Sequence, residues 1–510
     1  MNRMNPGRQS QEDRRSCSID VTRAAACATM KRIETRVPVW GALAAAALLS
    51  APLLPAAEPS NSGGFRKFLE QDYLLGDWGG LRTDLSNRGI DFEFFYAGAV
   101  PNNLDGGLKR GGVYQGALLM TLDLHSEKLL GYEGGTFHAG SLWLHGEKPF
   151  SEKYIGDLNK VNLIDFENSF RLWELWYEQQ FLDGRLSLKF GQMSIDQDFI
   201  VPQYYNSLAT LTLLNQTFFY PTMAFNVYDQ PFFPIGHHAL ASTPYGTPGV
   251  RLRADPSEYF YVQAGAYDGN PDRGDSGTRV ALSHDEGALL YFELGLKINQ
   301  GRDASGPPGN LKLGGYYHTD DFVDMYQGSF VAFDNFVAAS GIPLPPLSSG
   351  SARAHEGNYG LYVLADQTLW RETDKDDPAA QGLVGFVRAS IAPEDRNLAS
   401  LGLDGGLVYK GLIPTRDWDT LALAGSYMEI SDDVTSAQRD INAILAGAGA
   451  PSAFEKLADY EAVIELSYKA QMTAWWTVQP SVQRVIHPGG RVLANIPDAW
   501  VFIVQTTFRF

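Results

Sequence analysis

Cysteine is almost missing from this sequence of 510 residues: only Cys17 and Cys27 occur, both close to the start. The rest of the chain therefore has no disulfide, no thiol nucleophile and no zinc–cysteine centre. Basic charge is also scarce, with 41 Lys and Arg against 59 Asp and Glu, a formal net charge of −18. That balance argues against a nucleic acid as partner. Long apolar runs are lacking apart from one, and the mean hydropathy is −0.19, which excludes a bundle of membrane-spanning helices. No tract of Pro, Ser or like charge divides the chain into separate folding units.

The one apolar run extends from Val37 to Leu54, with Lys31, Arg32 and Arg36 before it and Pro55, Ala56 and Ala57 after it. A basic start, a short apolar stretch and small residues at the exit form the pattern of a secretory signal, with cleavage expected near Ala57. A permanent membrane anchor fits less well, because the run only just reaches spanning length and Pro38 and Pro52 interrupt it. Met30-Lys-Arg32 has the form of a normal signal start. Residues 1–29 are then either an unstructured extension or a stretch upstream of the true initiator. Both cysteines lie in the part removed with residues 1–57, and the remaining chain carries 33 basic against 55 acidic residues, about −22.

Three regions are expected: the extension and signal over 1–57, a short periplasmic segment over 58–89, and a β-barrel over 90–510. In the second region Asp77 to Gly89 reads as an amphipathic helix, with Leu81 and Leu85 four apart and Gly89 as the stop. From Ile90 onward the period becomes two. Leu290, Phe292, Leu294 and Leu296 alternate with Tyr291, Glu293, Gly295 and Lys297. Leu186, Leu188 and Phe190 oppose Arg185, Ser187 and Lys189, while Ala462, Ile464, Leu466 and Tyr468 oppose Glu461, Glu465 and Ser467. Repeated segments of about ten residues with this alternation are the sequence form of membrane-barrel strands.

Such segments are expected near 90–101, 113–125, 134–147, 167–180, 185–195, 248–255, 258–268 and 288–297. They continue near 310–319, 356–369, 381–392, 399–410, 418–430, 459–470, 474–486 and 498–510. The fold class is thus all-β, an antiparallel transmembrane barrel of about sixteen strands. Link lengths agree with this. Most even-numbered links are tight, as at Phe181–Gly184, Asp255–Ser257 and between Gln471 and Ala474; odd-numbered links are often long, as at 196–247, 320–355 and 431–458. Short turns on one rim and long loops on the other suit an outer membrane better than a soluble sandwich. In the last strand Trp500, Phe502, Val504, Phe508 and Phe510 share one parity, and Val501, Ile503, Gln505, Thr507 and Arg509 the other. An aromatic final residue resembles the sorting signal read by the barrel-assembly machinery, so Phe510 is its expected contact.

About sixteen strands enclose an aqueous channel, so the inward parity decides function. It assigns Asp91, Glu93, Glu174, Glu178, Glu293, Glu461 and Glu465 as inward acids. Arg185, Lys189, Lys297, Lys312 and Arg388 are the inward bases. These charges either solvate a wet wall or face one another across a constriction and orient hydroxyl-rich solutes. Trp173 and Tyr177 suit an interfacial girdle, whereas Trp176, Tyr259, Tyr261, Tyr291, Tyr316 and Tyr362 fall on the inward parity. There a ring offers its apolar face to the C–H side of a sugar while nearby charges bond its hydroxyls. The Phe- and Pro-rich link 196–247 reads equally as a surface loop or as a segment folded into the channel.

Several motifs carry a family resemblance over nearly the whole exported chain. They are Leu75-Gly-Asp-Trp-Gly-Gly-Leu-Arg82, Gly89-Ile-Asp91, Gly134-Gly-Thr-Phe-His138, Leu142-Trp-Leu-His-Gly146 and Arg171-Leu-Trp-Glu-Leu-Trp176. Gly184-Arg-Leu-Ser-Leu-Lys-Phe-Gly-Gln192, Ala365-Asp-Gln-Thr-Leu-Trp-Arg371, Gln479-Pro-Ser-Val-Gln483 and His487-Pro-Gly-Gly490 complete the set. Together they make the chain resemble the carbohydrate-selective porins of the OprB family. The resemblance implies a sixteen-stranded barrel that passes sugars such as glucose by diffusion; the N-terminal extension departs from the family pattern. A barrel enzyme is the competing class, but the exported chain has no Gly-x-Ser-x-Gly element and no His-Glu-x-x-His helix. His237-His238 is an adjacent pair that reads as loop polarity. No catalytic residue, metal or cofactor is expected. A porin for anions such as phosphate would need a basic lumen, which the mixed inward charges disfavour. The oligomeric state is not readable.

Overall fold

A computed structural model of the chain describes residues 63–147, 149–203, 212–219, 243–270, 276–278, 287–301, 304–372 and 381–510. The expected extension and signal, the cleavage position near Ala57 and the His237-His238 pair lie outside the described residues.

Sixteen strands form the wall. They are β1 Ile90–Asp105, β2 Gln115–His125, β3 Gly135–Gly146, β4 Ser169–Phe181, β5 Leu186–Met193, β6 Thr247–Ala254, β7 Phe260–Asp268 and β8 Ala288–Ile298. The second half comprises β9 Gly309–Val323, β10 Ala354–Arg371, β11 Gly382–Ile391, β12 Ala399–Lys410, β13 Thr420–Ile430, β14 Tyr460–Thr473, β15 Trp476–Ile486 and β16 Ala499–Arg509. A two-residue bridge, Gly111–Gly112, pairs with Asn102 and Asn103 within the first hairpin. Each strand runs antiparallel to the next, and β16 returns to β1 through Tyr96↔Phe508 and Val100↔Val504. The sheet is closed. Closure leaves no ladder edge unsatisfied, which is the condition for crossing a bilayer with strands.

The alternation maps onto the two faces. Leu290, Phe292, Ile464 and Leu466 stand exposed on the outside, while Tyr291, Glu293, Glu461 and Glu465 are buried within. An apolar exterior around a polar interior is the inverse of a soluble barrel, and it needs lipid around it. One expected girdle residue changes side. Leu172 pairs with Ser141 and Glu174 with Gly140, so Trp173 is an extra residue that bulges. The bulge turns Trp173 inward, where it is buried against Leu142 and Phe166.

Short turns join β4 to β5, β6 to β7 and β14 to β15. In the turn before β5, Leu182 and Asp183 have φ of 55° and Gly184 has φ of 80°. Three successive left-handed residues explain a glycine at the last of them. Several hairpins extend past the expected strand ends, β1 to Asp105 and β9 to Val323. Pairs such as Asp321↔Glu356 continue the ladder in water, where no lipid face imposes an apolar period.

Helices supplement the barrel. The expected one at 77–89 is a 3-10 turn, Trp78–Gly80, followed by α2, Leu81–Asn87; ahead of it stands α1, Gly63–Glu70. The strand alternation concealed three others: α3 Ser126–Leu130, α4 Met325–Ala339 and α5 Asp432–Gly447. Asp324 caps α4 by accepting from Gln327 N, and Ser431 caps α5 by accepting from Asp433 N. Phe333 and Val337 of α4 pack on Ile441 and Leu445 of α5 over the long-loop rim.

Candidate functional site

The lumen contains more than strand side chains. Two odd-numbered links, 147–168 and 194–246, enter it, the second described at 194–203, 212–219 and 243–246. Leu213, Leu214, Phe218, Phe199 and Phe150 of these links are fully buried. Irregular backbone inside a barrel brings N–H and C=O groups that must find partners. The wall supplies them.

Glu465 on β14 accepts Leu214 N at 2.8 Å, Asn215 N at 2.9 Å and the Ser481 hydroxyl at 2.8 Å. Glu461, two pleat repeats away on the same face, accepts Leu158 N at 2.8 Å, Asn159 N at 2.8 Å and Gly489 N at 2.7 Å. Glu293 accepts Ile200 N at 2.9 Å, with the hydroxyls of Tyr261 at 2.7 Å and Tyr362 at 2.6 Å. Lys312 donates to the Val201 carbonyl, and Arg388 to Asp404 at 2.8 Å and to the Thr217 carbonyl. Tyr291 lies 5.2 Å from Phe199 of the link and 5.9 Å from Tyr316. Glu293, Glu461, Glu465, Lys312 and Arg388 thus hold links, as do Glu174, which accepts Ser194 N at 3.1 Å, and Lys189 through Asp198, while Tyr291 and Tyr316 cluster around Phe199.

Within the links, Asp165 accepts Phe150 N and Ser151 N, each at 2.7 Å. Burial, then the charge of Glu461, holds the Asp157 carboxyl well above the usual carboxylate range. Burial likewise raises Asp196, against opposing bonds from Ser194 and Thr243. Asp157 is buried and Asp196 half-buried, so desolvation disfavours the charged form of each.

Other candidates join Arg251 and the link residue Asp198 in a charge cluster on the wall, where the Lys189 and Arg251 side chains are 5% exposed and that of Asp198 9%. Arg251 donates to Glu178 at 3.0 Å, to Asp198 at 3.2 Å and to Ser187 at 2.6 Å. Lys189 donates to Asp198 at 3.0 Å and holds its ammonium 4.2 Å from the centroid of the Trp176 ring. His138 stacks on Trp176 at 4.6 Å and 11°, with its Nδ1 2.7 Å from Asp123 and its Nε2 3.6 Å from Glu174. Trp176 is therefore engaged by protein groups, and its buried indole N–H has no protein partner. Closer to the short-turn rim, Asp255 accepts from Arg253 at 2.8 Å and from Lys297 at 2.6 Å. Burial pushes the Asp255 carboxyl up, but these two bonds and charges outweigh it, and the net displacement is downward. Arg253 also lies 3.9 Å over Tyr261. Asp91 faces His125 at 3.0 Å and Glu93 faces Arg509 at 3.0 Å, all part-exposed at the same rim. Arg185 lies in the exposed turn before β5, off the lumen wall, and Tyr259 is 63% exposed just ahead of β7.

The profile of the carbohydrate-selective porins, OprB family, matches residues 109–510. The chain belongs to that family. It is 29% identical to Porin B of Pseudomonas aeruginosa over 453 residues, covering 86% of this chain and 91% of that one. It is 22% identical to a putative porin, QuiX, of Acinetobacter baylyi over 460 residues, covering 86% and 94%. Among solved structures, the high-pH form of OprB from Pseudomonas putida superposes with a TM-score of 0.72 at 25% identity, covering 86% of this chain and 99% of that one. The low-pH form of the same protein shares the fold, with a TM-score of 0.51.

For this OprB-family porin, the strand parity overlooked Arg251, Arg253 and Asp123, although each alternates with apolar neighbours in Val250-Arg-Leu-Arg253 and Leu122-Asp-Leu124. Asp198 carried no such signal, because it lies on a link where no period applies. Among the described residues no group of His, Cys, Asp or Glu is arranged to hold a metal ion. The family is one of channels, and the chain is a porin rather than an enzyme.

Proposed function

We propose that this outer-membrane porin lets sugars such as glucose diffuse passively into the periplasm past the strip formed by Trp176, Glu178, Lys189, Arg251, Asp198 and Asp123. The observation that carries the reading is the mixture of engaged charges in a lumen narrowed by inserted links. A neutral polyol finds acceptors and donors there at short spacing, while neither ion sign meets an uncompensated field. Glu174 supports the strip through His138. Asp91, Glu93, Lys297 and Tyr261 would line the periplasmic exit, while Glu293, Glu461, Glu465, Lys312, Arg388, Tyr291 and Tyr316 would act by holding the links that shape the path.

Two further elements belong to this reading. Export would remove the chain up to about Ala57, leaving α1 in the mature protein, and Phe510 would be the residue that the barrel-assembly machinery reads. The channel itself is tested in planar bilayers and swelling liposomes. Glucose should permeate, and larger sugars should block the ion current at single channels. The Trp176→Ala variant should lower that block with little change in the open current. An ion current that glucose and larger sugars leave untouched would overturn the sugar reading.

A further inference from the structure

The segment ahead of the barrel takes no part in the channel. In α1, Phe65, Phe68 and Leu69 are spaced three and four apart and share one arc of the helix. Phe65 is 69% exposed and Phe68 38% exposed. Such a face needs an apolar neighbour. The helix is held in place: the Phe68 ring lies 5.2 Å from Trp475, whose indole N–H donates to the Phe68 carbonyl at 3.3 Å. Trp475 stacks on Trp476 at 6.3 Å, and Trp476 on Phe508 at 6.2 Å.

Trp476 and Phe508 are cross-strand partners on the outward parity of β15 and β16. They belong to the lipid-facing belt, and α1 continues that belt beyond its short-turn edge. Arg82 fixes the stretch between helix and barrel. Its guanidinium donates to the Phe92 carbonyl at 2.9 Å and to the Phe510 carbonyl, 3.9 Å over Tyr73 and 4.5 Å over Trp78. Leu74 N adds a bond to Arg509 O at 2.8 Å. The strap is therefore pinned across the β1–β16 seam at the height where lipid meets water. Arg66, which pairs with Glu70 at 2.8 Å, and Lys67 are exposed on the same short helix, in a chain that is otherwise strongly acidic.

We propose that α1 is an interfacial membrane helix that seats its Phe65–Phe68 face in the periplasmic phospholipid leaflet, with Arg66 and Lys67 at the phosphates. An apolar face flanked by basic residues and continuous with an aromatic belt is the composition of a helix lying in the interface plane. Eight residues alone would bind a bilayer weakly. The tether to the barrel seam supplies the high local concentration that makes the contact persistent. The inference uses the outer-membrane placement of the barrel but not its solute.

The absence of cysteine after residue 57 makes site-directed labelling direct. Nitroxides are placed by Phe65→Cys or Glu70→Cys in the full mature porin, reconstituted into vesicles of phosphatidylethanolamine and phosphatidylglycerol. Folding is checked by heat-dependent gel migration, and conduction is measured separately. The label at position 65 should be roughly tenfold less accessible to a water-soluble nickel chelate than the label at 70 and more accessible to oxygen, as membrane insertion requires. Equal aqueous accessibility in a conducting, folded porin would overturn the proposal while leaving the channel reading intact. So would protection at position 65 that appears only when soluble periplasmic proteins are added, since the partner would then be a protein.

Discussion

Replacing Glu465 by alanine should release the inserted link 194–246 from the wall and raise the channel conductance. Glu465 is completely buried, and its two oxygens accept from Leu214 N, Asn215 N and the Ser481 hydroxyl at 2.8–2.9 Å. A hydrogen bond to a charged group contributes about 1.5–3 kcal/mol net. The three share one carboxylate whose desolvation opposes them, so the sum is smaller than three independent bonds. A loss of about 3 kcal/mol in docking free energy follows, since alanine also leaves two buried N–H groups unpaired. That is roughly a hundredfold rise in the undocked fraction. The barrel ladder is untouched, because β14 pairs through its backbone. Glu465→Gln keeps one acceptor oxygen but turns an NH2 towards a donor, and it should fall between wild type and alanine. Ser481→Ala, which removes only one partner, should change little. The measurements are single-channel conductance in planar bilayers and amide hydrogen exchange at residues 214 and 215. If Glu465→Ala kept both the conductance and the slow exchange of wild type, the carboxylate would not be what holds the link.

Two other perturbations test the wall. Arg388 and Asp404 form an ion pair with 1% and 2% side-chain exposure. Arg388→Ala strands the aspartate charge and should cost about 3–5 kcal/mol, while Arg388→Met with Asp404→Leu should recover most of it; heat-dependent gel migration of the folded barrel reports both. Asp255 has a depressed pKa, so its contribution is fully present above the usual carboxylate value of about 4 and is lost as pH falls through the folded value. Asp255→Asn should therefore lower stability at neutral pH and flatten the acid limb, and the difference from wild type should vanish in strong acid. A difference that stayed constant down to that limit would show that the pairs with Arg253 and Lys297 are not linked to its ionisation.

The wall was legible in the sequence because it has two solvents. Lipid outside and polar groups inside impose the period of two seen in Leu290–Lys297 and Glu461–Tyr468, and the same contrast fixes which way each charge points. Where the contrast stops, so does the signal. The hairpins past Asn103 and His318 stand in water, α4 and α5 lie above the membrane, and the bulge at Trp173 breaks parity by one residue. The links were ambiguous for a different reason: their position is set by wall partners remote in sequence. Leu214 meets Glu465 across 251 residues and Leu158 meets Glu461 across 303, and no local pattern encodes such a meeting. Parity therefore identifies that Glu293, Glu461 and Glu465 face inward but not that link backbone is waiting for them. An inward acid of this kind shapes the path without lining it. On the proposed reading the solute meets a composite surface, whose half-buried Trp176, Glu178 and Asp123 are backed by Lys189 and Arg251 from strands and Asp198 from a link. A period-based search finds the strand residues at most, because Asp198 is placed only when the link folds in.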